Sequence, residues 1–385
     1  MKRIKNLHIV SGLAIGDQSG GAEKFAASVA RLLNKERFET AVFATWSYPS
    51  PKQNPWLEVL NDAGIPIYGM LNPTGNYIYD LVKSFIKLWQ SVNEFQPEII
   101  TTHNERAHTF NAIIHTFHPL KPFAVRTIHI EQSWQTHPWI GNFLSNLIFP
   151  RIFDAEIAVS ATICDQLNAK RGNSSRHVQL CYNGIDQRLF DKPGDPVSFD
   201  GSAFKPSNSY LIGTIGRLAD QKGHQYLLKA FPKVLEKYPA HLLIIGSGPL
   251  RSNLENLASE LKISKNTHFL GSRDDISDII GNLDLFVLPS IWEGFPTVLL
   301  EAMAQEVPVV VTNISGSREL VQNKITGLIV PPEDPTALAN AINLQIENHE
   351  DALKMAQNAK IHASQYTIQN TTLCFEKIYK DICPN

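Results

Sequence analysis

Residues 290–304 read Ser290-Ile291-Trp292-Glu293-Gly294-Phe295-Pro296-Thr297-Val298-Leu299-Leu300-Glu301-Ala302-Met303-Ala304. They follow a short, mostly apolar run, 283–288, which predicts a buried strand closed by Pro289. Pro296 suits the first turn of a helix, and the apolar spacing over 299–303 predicts that the helix continues. The segment therefore predicts a strand, a loop and a helix in succession.

Two glutamates lie on either side of the predicted helix start. Glu293 belongs to the loop, and Glu301 projects from the helix. Free backbone N–H groups at a helix N-terminus favour an anion, so a phosphate flanked by sugar hydroxyls would engage both carboxylates. A βα turn whose glutamates are merely solvated is the alternative, and the spacing alone does not separate the two interpretations.

The composition is typical of an ordinary soluble protein. A chain of 385 residues is long enough for two domains with separate cores. The formal net charge of −2 at pH 7 carries no signal for a polyanionic partner, so nucleic acid is not expected as a partner.

Cysteine usage and apolar runs bear on the cellular compartment. The chain has no CxxC pair, so its cysteines are predicted to be reduced thiols in a cytoplasmic protein: Cys164, Cys181, Cys374 and Cys383. Residues 1–10 run directly into a strand without the apolar core of a signal peptide, and no apolar run is long enough to span a bilayer. A dense apolar stripe over 138–153 predicts either weak contact with a membrane surface or a core or interdomain helix.

Short apolar runs alternate with helical patterns along the whole chain, which predicts a parallel α/β architecture. The predicted strands of the first half are 7–10, 41–44, 99–102, 124–128 and 156–159, and those of the second half are 210–214, 241–245, 267–270, 284–288, 307–311 and 327–330. Between the halves, residues 191–208 are rich in Pro, Gly, Ser and Asp and are predicted to be a linker.

Candidate ligand loops in the first half follow predicted strands. Gly20 and Gly21 precede a helix predicted from about Ala22 to Leu33; paired glycines let a ligand approach the backbone, although a flexible connection is an equal alternative. His129 follows the fourth strand, and His103 with Asn104 follows the third, at the edge where parallel sheets bind ligands. The alternative for His129 is a structural or solvated histidine.

The second half contains two further loops of this kind. The run 216–223, Gly-Arg-Leu-Ala-Asp-Gln-Lys-Gly, places Arg217 and Lys222 in a turn after a strand, where they could stabilise a diphosphate or simply be solvated. Gly246 and Gly248 begin a Gly-x-Gly-Pro loop after the next strand. That pattern could suggest a dinucleotide fold, but Arg251 stands where the third glycine of the fingerprint belongs.

Taken in order, these motifs resemble those of the retaining glycosyltransferases of family 4, which have the GT-B fold. The resemblance covers nearly the whole chain and rests on Glu293-x7-Glu301 within EGFP…LLEAMA, on GRL-x-x-QKG at 216–223, on GxGP at 246–249, on GGAE at 20–23 and on His129. It implies two Rossmann-like parallel-sheet domains facing each other across a cleft. Residues 1–190 would bind the acceptor, 209–365 would bind the nucleotide sugar, and a C-terminal helix over 366–385 would return to the first domain.

The resemblance implies transfer of a sugar from a nucleotide-diphosphate sugar to a glycan, lipid-linked or small-molecule acceptor, with retention at the anomeric carbon. The residues implied to be catalytic are His129, Arg217, Lys222 and Glu293. Those implied to bind the donor are Gly20, Gly21, Gly216, Gly246, Gly248, Arg273, Gly294, Phe295, Pro296, Thr297, Val298 and Glu301. His103 and Asn104 would help to shape the acceptor pocket.

Two positions depart from the family pattern. Pro296 stands where many members carry glycine, and Ile130-Glu131 replaces the usual Asp shortly after His129. The chain contains no D-x-D pair and no metal-ligand spacing, so neither a metal nor another cofactor is expected beside the nucleotide-sugar co-substrate. The expected role is cell-surface polysaccharide or glycolipid synthesis in the cytoplasm, or peripherally at the inner face of the membrane.

Other functions remain open from the sequence. A GT-B sugar-nucleotide epimerase would share the fold and the donor site, and a non-catalytic nucleotide-sugar-binding subunit would share the fold without turnover. A dehydrogenase is disfavoured because the third glycine of the dinucleotide fingerprint is missing.

Overall fold

The computed structural model describes residues 2–13, 21–47, 55–129, 138–171, 178–191, 198–199, 202–203 and 209–384. The chain divides into two units. Unit 1 comprises Met1–Asn183 with Ile368–Asn385, and unit 2 comprises Gly184–Thr367.

Unit 1 is built on a seven-stranded sheet in the order β3-β2-β1-β4-β5-β6-β7, and all its pairings are parallel. Its strands are β1 (Ile4–Gly12), β2 (Phe38–Trp46), β3 (Ile67–Leu71), β4 (Ile99–Thr102), β5 (Phe123–Ile128), β6 (Ala155–Ala158) and β7 (Gln179–Leu180). The five predicted strands are confirmed. The sequence does not predict β3 or β7, because β3 is half-buried at every position and both residues of β7 are exposed, so neither strand has a buried apolar run.

Helices cover both faces of this sheet, since successive residues of a strand point to opposite sides. The helices are α1 (Gly21–Leu32), α2 (Pro55–Asp62), α3 (Tyr77–Phe95), α4 (Glu105–Phe117), α5 (Pro138–Phe143), α6 (Phe149–Ile152) and α7 (Ala161–Arg171). Leu7 and Ile9 pack with α3 and α4, whereas Val10 and Val42 pack with α1 and α2. By this alternation His8 faces the α1 side of β1.

The apolar stripe over 138–153 forms one helical run, in which a π-helical turn at Leu144–Ile148 joins α5 to α6. Its two halves differ in burial. Phe149 and Phe153 are core residues, whereas Trp139 is 74% exposed and Phe143 is 53% exposed. In the part of the chain that the structure describes, no helix has the length and apolar character needed to cross a bilayer.

A buried ion pair connects β5 to β6. Arg126 and Glu156 occupy neighbouring strands, and their side chains are only 2% and 3% exposed. The Arg126 guanidinium also donates to the Ser145 carbonyl at 3.0 Å and lies 4.9 Å from the centre of the Phe149 ring. A buried charge needs a partner, and here it is also enclosed by an aromatic face. The pair therefore fixes the helical run 138–152 against the sheet.

Unit 2 contains a six-stranded sheet in the order β12-β11-β10-β13-β14-β15, again with only parallel pairings. Its strands are β10 (Tyr210–Ile215), β11 (Ala240–Ile245), β12 (Thr267–Gly271), β13 (Leu285–Leu288), β14 (Val309–Thr312) and β15 (Leu328–Val330). Unit 2 also includes a short antiparallel hairpin, β8 (Ser198–Phe199) with β9 (Ser202–Ala203). All six strands predicted for the second half are confirmed.

The helices of unit 2 enclose this sheet on both sides. They are α8 (His224–Leu235), α9 (Arg251–Glu260), α10 (Ile276–Gly281), α11 (Thr297–Ala304), α12 (Ser315–Leu320), α13 (Pro335–Glu347) and α14 (His349–Ala363). Leu227, Leu254 and Leu338, from α8, α9 and α13, share one core with Leu242 and Val287 of the sheet. The helix α11 packs against β13, β14 and α14. Both faces are buried, as parallel sheets require.

The last helix, α15 (Ile368–Ile382), belongs to unit 1 although it follows unit 2 in the chain. The Glu376 carboxylate accepts from the Asn34 backbone N–H at 2.9 Å, and the Thr371 hydroxyl donates to the Tyr182 carbonyl at 2.7 Å. The expected C-terminal helix that returns to the first half of the chain is thus present. Two parallel-sheet Rossmann-like units with this returning helix match the expected GT-B architecture.

The prediction that all cysteines are reduced is wrong for two of them. Cys181 and Cys374 form a disulfide between the end of β7 and α15, across 193 residues of sequence, while Cys164 and Cys383 are not disulfide-bonded. The pairing depends on α15 returning to unit 1, which brings together two thiols that no local spacing relates. Spacing rules detect only cysteines that lie close in sequence.

Candidate functional site

The candidate site in unit 2 lies where the strand order reverses. β10 pairs with β11 on one side and with β13 on the other, so the chain leaves β10 and β13 in different directions. Ligands of open α/β sheets bind beyond the carboxyl ends of strands at such a switch point. The 216–223 loop follows β10 and the 289–296 loop follows β13, so the fold brings together the two segments with the strongest sequence motifs.

Lys222 and Glu293 form the central contact of this site. Lys222 Nζ donates to Glu293 Oε1 at 2.5 Å, and the Ser290 hydroxyl donates to the same oxygen at 2.8 Å. The two side chains are 18% and 8% exposed, so the pair is largely shielded from water. A charge-assisted hydrogen bond in this environment is short and strong. Glu293 therefore holds the Lys222 ammonium in one position at the ends of β10 and β13.

Backbone hydrogen bonds hold the two loops against each other. The Ile291 N–H donates to the Gln221 carbonyl at 2.8 Å, and the Gln221 side-chain amide donates to the Trp292 carbonyl at 3.1 Å. Gly223 has φ +63°, and a Cβ atom there would lie 2.0 Å from the Pro289 carbonyl oxygen. Only glycine allows this close approach in the left-handed region. The turn that carries Lys222 is thus locked to the loop that carries Glu293.

The predicted glycines at 216, 246 and 248 bring neighbouring loops into contact. A Cβ atom on Gly246, whose φ is +131°, would lie 2.0 Å from the Gly216 carbonyl oxygen. A Cβ atom on Gly216 would lie 3.1 Å from Cδ and Cε of Lys222, and one on Gly248 would lie 2.5 Å from the Leu218 carbonyl oxygen. These glycines therefore support the Lys222 stem and the β10 loop.

The N-terminus of α11 differs in one detail from the prediction. α11 begins at Thr297, so Pro296 is the N-cap residue and does not lie in the first turn. Proline has no N–H, and an N-cap residue does not need one for the helix ladder. Phe295 is buried, with its ring edge against Tyr366, and Glu301 is 6% exposed within α11.

The other residues of this loop that were predicted to bind the nucleotide sugar lie around the N-terminus of α11. Gly294 and Pro296 contact the N-terminus of α12, where a Cβ atom on Gly316 would lie 3.0 Å from both Gly294 O and Pro296 Cδ. Thr297 and Val298 are half-buried in the first turn of α11. α12 therefore fixes the loop from behind.

The two predicted arginines have different environments. Arg217 is exposed beside the Lys222 turn. Arg273, after β12, forms a two-point ion pair with Asp275, with contacts of 2.8 and 2.5 Å. Its charge is therefore already compensated within its own loop.

The predicted residues of unit 1 lie at the carboxyl ends of β4 and β5. The ring of His129 approaches that of His103, with Nε2 of His129 3.4 Å from Nδ1 of His103. Asn104 caps α4 by accepting from the Ala107 N–H at 3.0 Å. Gly21 is the first residue of α1, and Gly20 lies outside the described residues.

Burial lowers the pKa of three histidines of unit 1. It lowers the pKa of His129 to about 4 and that of His8, which contacts His103, to about 3. The pKa of His103 lies well below its usual value, through burial first and then through its histidine neighbours. The described residues contain no group of three or more His, Cys, Asp or Glu side chains placed to hold a metal ion.

Several residues of these sites are not identified by sequence reasoning. Ser290 and Gln221 position Glu293 and Lys222, and they stand within the motifs already identified, so a close look at motif neighbours could find them. His8 lies within a strand, where it looks like an ordinary inward-facing residue. Only its contact with His103 reveals its place at the site.

Two Rossmann-like units with a returning C-terminal helix, and a shielded lysine at the switch point of the second, define the GT-B class of fold. Residues 19–189 match the family model described as Glycosyltransferase Family 4, and residues 199–362 match Glycosyl transferases group 1. The chain therefore belongs to the family 4 glycosyltransferases.

Individual relatives agree with this assignment. The chain is 35% identical to a D-inositol 3-phosphate glycosyltransferase of Corynebacterium urealyticum, over 70% of this chain and 66% of the relative. It is 26% identical to the UDP-Gal:alpha-D-GlcNAc-diphosphoundecaprenol alpha-1,3-galactosyltransferase of Escherichia coli, over 68% of this chain and 69% of the relative. These alignments span about two thirds of each relative.

A solved structure matches over almost the whole chain. Anabaena HepE in complex with UDP and glucose superposes with a TM-score of 0.80, at 21% identity, over 98% of this chain and 100% of that one. At this identity the likeness supports the fold.

Proposed function

We propose that this glycosyltransferase transfers a sugar from a nucleotide-diphosphate sugar, with UDP as the carrier, to a glycan or lipid-linked acceptor, and that it retains the anomeric configuration. The proposal depends on one observation above all, the shielded Lys222–Glu293 pair at the switch point of unit 2. The role in cell-surface polysaccharide or glycolipid synthesis is part of the proposal.

The chemistry of the leaving group explains why a fixed cation matters. Cleavage of the bond to the anomeric carbon leaves negative charge on the nucleotide diphosphate. A preorganised positive group stabilises that charge more in the transition state than in the ground state, and this lowers the barrier. Lys222 is held for this role by Glu293, and exposed Arg217 lies on the same turn and supplies a second positive charge.

The N-terminus of α11 supplies the other contacts to the nucleotide sugar. The first N–H groups of an α-helix have no partner within the helix and favour an anion. We assign the backbone at Phe295, Thr297 and Val298 to the phosphates, with Pro296 excluded because it has no N–H. Glu301, four residues into the helix, accepts from the ribose hydroxyls, while Glu293 accepts from hydroxyls of the sugar and His129 orients that sugar.

The nature of donor and acceptor is supported by similar proteins. The HepE complex contains UDP and glucose, and the E. coli relative is named for transfer of galactose from UDP to a diphosphoundecaprenol-linked acceptor. These names describe those proteins. For this chain they favour a uridine carrier and a lipid-linked or glycan acceptor.

Weak membrane contact through unit 1 is the remaining part of the proposal. Trp139, Phe143 and Leu147 follow one another at four-residue spacing and are 74%, 53% and 43% exposed. Side chains four apart lie on one face of a helix, and Arg151 continues that face with a positive charge. An apolar stripe that ends in a cation suits the interface of an anionic membrane.

A donor screen tests the function. The protein is incubated with UDP-, GDP- and ADP-sugars, each with and without glycan and undecaprenyl-diphosphate-linked acceptors, and the release of nucleoside diphosphate is measured. The proposal predicts acceptor-dependent release of UDP, and the anomeric proton coupling of the product shows the retained configuration. An epimer formed from a UDP-sugar without acceptor would indicate an epimerase, and stabilisation by a UDP-sugar without any turnover would indicate a non-catalytic binding subunit; either result overturns the proposal.

A further inference from the structure

A continuous row of polar side chains crosses the sheet of unit 1. Asn6 Nδ2 lies 2.9 Å from His8 Nε2, and His8 Nδ1 lies 3.0 Å from His103 Nε2. His103 Nδ1 then lies 3.4 Å from His129 Nε2. The row therefore runs from the start of β1, through the end of β4, to His129 after β5.

The ring geometry suits hydrogen bonds between the histidines. The planes of His8 and His103 differ by 11°, and their centres are 5.3 Å apart, so the rings lie side by side. A ring N–H in this arrangement points at the in-plane lone pair of the next ring, as a good hydrogen bond requires. Phe25 of α1 places its ring edge-on against both His103 and His129 and covers the row from the α1 side.

Burial leaves each ring with a single proton. His8 is fully buried and His103 is 3% exposed, and desolvation lowers the pKa of both rings well below the physiological range. A neutral imidazole has one N–H donor and one acceptor nitrogen. Once the tautomer of one ring is fixed, each ring bonded to it must adopt the tautomer that completes the hydrogen bond between them.

Asn6 fixes the first ring. The Thr101 hydroxyl lies 2.6 Å from the Tyr379 hydroxyl and 3.3 Å from the Asn6 amide oxygen. We assign Tyr379 as the donor to Thr101 and Thr101 as the donor to the Asn6 oxygen, which turns the Asn6 NH2 group toward His8. An NH2 group can only donate, so His8 Nε2 is an acceptor and the proton of His8 is on Nδ1. His8 then donates to His103, and His103 donates to His129.

We infer that Asn6 orders the protons of the whole row, so that His8, His103 and His129 all carry their proton on Nδ1 and His129 presents a hydrogen-bond donor at the ligand edge of unit 1. Asn6, His8 and His103 are positioning residues in this scheme, since they act through His129. No proton is gained or lost in the ordering; each ring keeps one and uses its other nitrogen as an acceptor.

This ordering specifies what His129 can do, a step that rests on the proposed function. With its proton on Nδ1 and its Nε2 occupied by His103, the ring donates to an oxygen of the bound sugar and has no lone pair available to act as a base. That agrees with the orienting role assigned to His129. A general-base role at this position would require the opposite tautomer.

Nitrogen NMR of the unliganded protein tests the ordering directly. The protein is labelled with 15N at its histidines, and two-bond 1H–15N correlations at pH 7.5 distinguish protonated from unprotonated ring nitrogens. Single variants His8→Gln and His129→Asn assign the signals by their loss. The inference predicts the Nδ1–H tautomer for all three rings. An Nε2–H tautomer at any of the three, or a mixture, overturns it.

A variant pair tests the part played by Asn6. Asn6→Leu keeps the number and branching of the side-chain heavy atoms and removes the donor, so the Nε2–H form should become populated at His8, His103 and His129 together. Asn111→Leu is the matched control, because Asn111 is equally buried in unit 1 and its amide donates to the Ile100 carbonyl at 3.0 Å, away from the histidine row. A change at His8 that does not reach His129, or the same change in the control, contradicts the inference.

Turnover separates this inference from the proposed function. Asn6→Leu should lower kcat for sugar transfer by up to about tenfold, the effect of one weakened hydrogen bond, with little change in the donor KM. If the three tautomers are as inferred but His129→Asn retains full turnover, the ordering stands and the assigned role of His129 fails. If the tautomers differ while His129→Asn is impaired, the role stands and the ordering fails.

Discussion

Lys222 Nζ lies 2.5 Å from Glu293 Oε1, although 71 positions of sequence separate the two residues. The contact joins the loop after β10 to the loop after β13, and the Ser290 hydroxyl supports it from the Glu293 side. Since the ammonium is held in place before any ligand binds, little reorganisation is needed when charge develops nearby.

Removal of the lysine charge should impair catalysis. We expect Lys222→Met to lower kcat by about 10²–10³-fold, the usual loss when one preorganised donor to a developing charge is removed, and Arg217→Met to have an effect of the same order. Steady-state kinetics with a saturating UDP-sugar provide the measurement. Lys229→Met, at an exposed position of α8, is the control and should keep wild-type turnover. A loss of less than about tenfold in both variants would remove these cations from the mechanism.

Chelation should leave the activity unchanged. Fixed cations and helix amides can neutralise a diphosphate without a metal ion, so turnover after dialysis against EDTA should lie within about twofold of the untreated rate. The same assay with added Mg²⁺ or Mn²⁺ completes the series. Activity that is lost to EDTA and restored by Mn²⁺ would refute metal independence.

Vesicle binding should depend on the exposed face of α5 and the π-helical turn. We expect the triple variant Trp139→Ser, Phe143→Ser, Leu147→Ser to bind phosphatidylglycerol vesicles at least about tenfold more weakly, because burial of these side chains in the interface contributes more than about 1.4 kcal/mol. Co-sedimentation measures the partition.

The control for vesicle binding is Ile361→Ser, which removes an apolar side chain of unit 2 that is 73% exposed. It should bind like the wild type. Equal binding by the triple variant and the wild type would show that this face does not contact membranes.

The disulfide should stabilise the protein. Cys181 and Cys374 connect distant parts of unit 1, and their loss should lower the free energy of unfolding by about 2–4 kcal/mol. Thermal unfolding with and without dithiothreitol should show a lower Tm under reducing conditions. Cys374→Ser should abolish the difference, whereas Cys383→Ser, which removes a free thiol, should preserve it. Four titratable thiols in the denatured, unreduced protein would contradict the bond.

Stability should fall on mild acidification. Burial lowers the pKa of His129 to about 4 and that of His8 to about 3, from 6.5. Below pH about 6.5 the unfolded chain binds protons that the folded protein excludes, so the free energy of unfolding decreases toward pH 4 by up to about 1.4 kcal/mol per pH unit for each ring. Urea unfolding at successive pH values measures this slope, and His349→Asn, at the exposed start of α14, should preserve it. A flat profile between pH 6.5 and 4.5 would show that these rings titrate normally.

Local sequence was enough to predict most of the fold. Apolar runs such as Leu285–Leu288 mark buried parallel strands, because a strand covered on both faces has an apolar environment on both sides. The loops after β10 and β13 carry their charged and glycine residues within a few positions of each other, so their chemistry is readable without the structure. The family resemblance follows from the same short motifs.

Tertiary structure alone decided the contacts between segments that are distant in sequence. The strand order places β13 beside β10, and this brings Glu293 to Lys222. The return of α15 brings Cys374 to Cys181, and the parallel register of β1 and β4 brings His8 to His103. A sequence pattern indicates which face of a helix or strand is apolar. Which other element covers that face is determined by the packing of the whole sheet. For that reason neither the disulfide nor the histidine row has a local signature in the sequence.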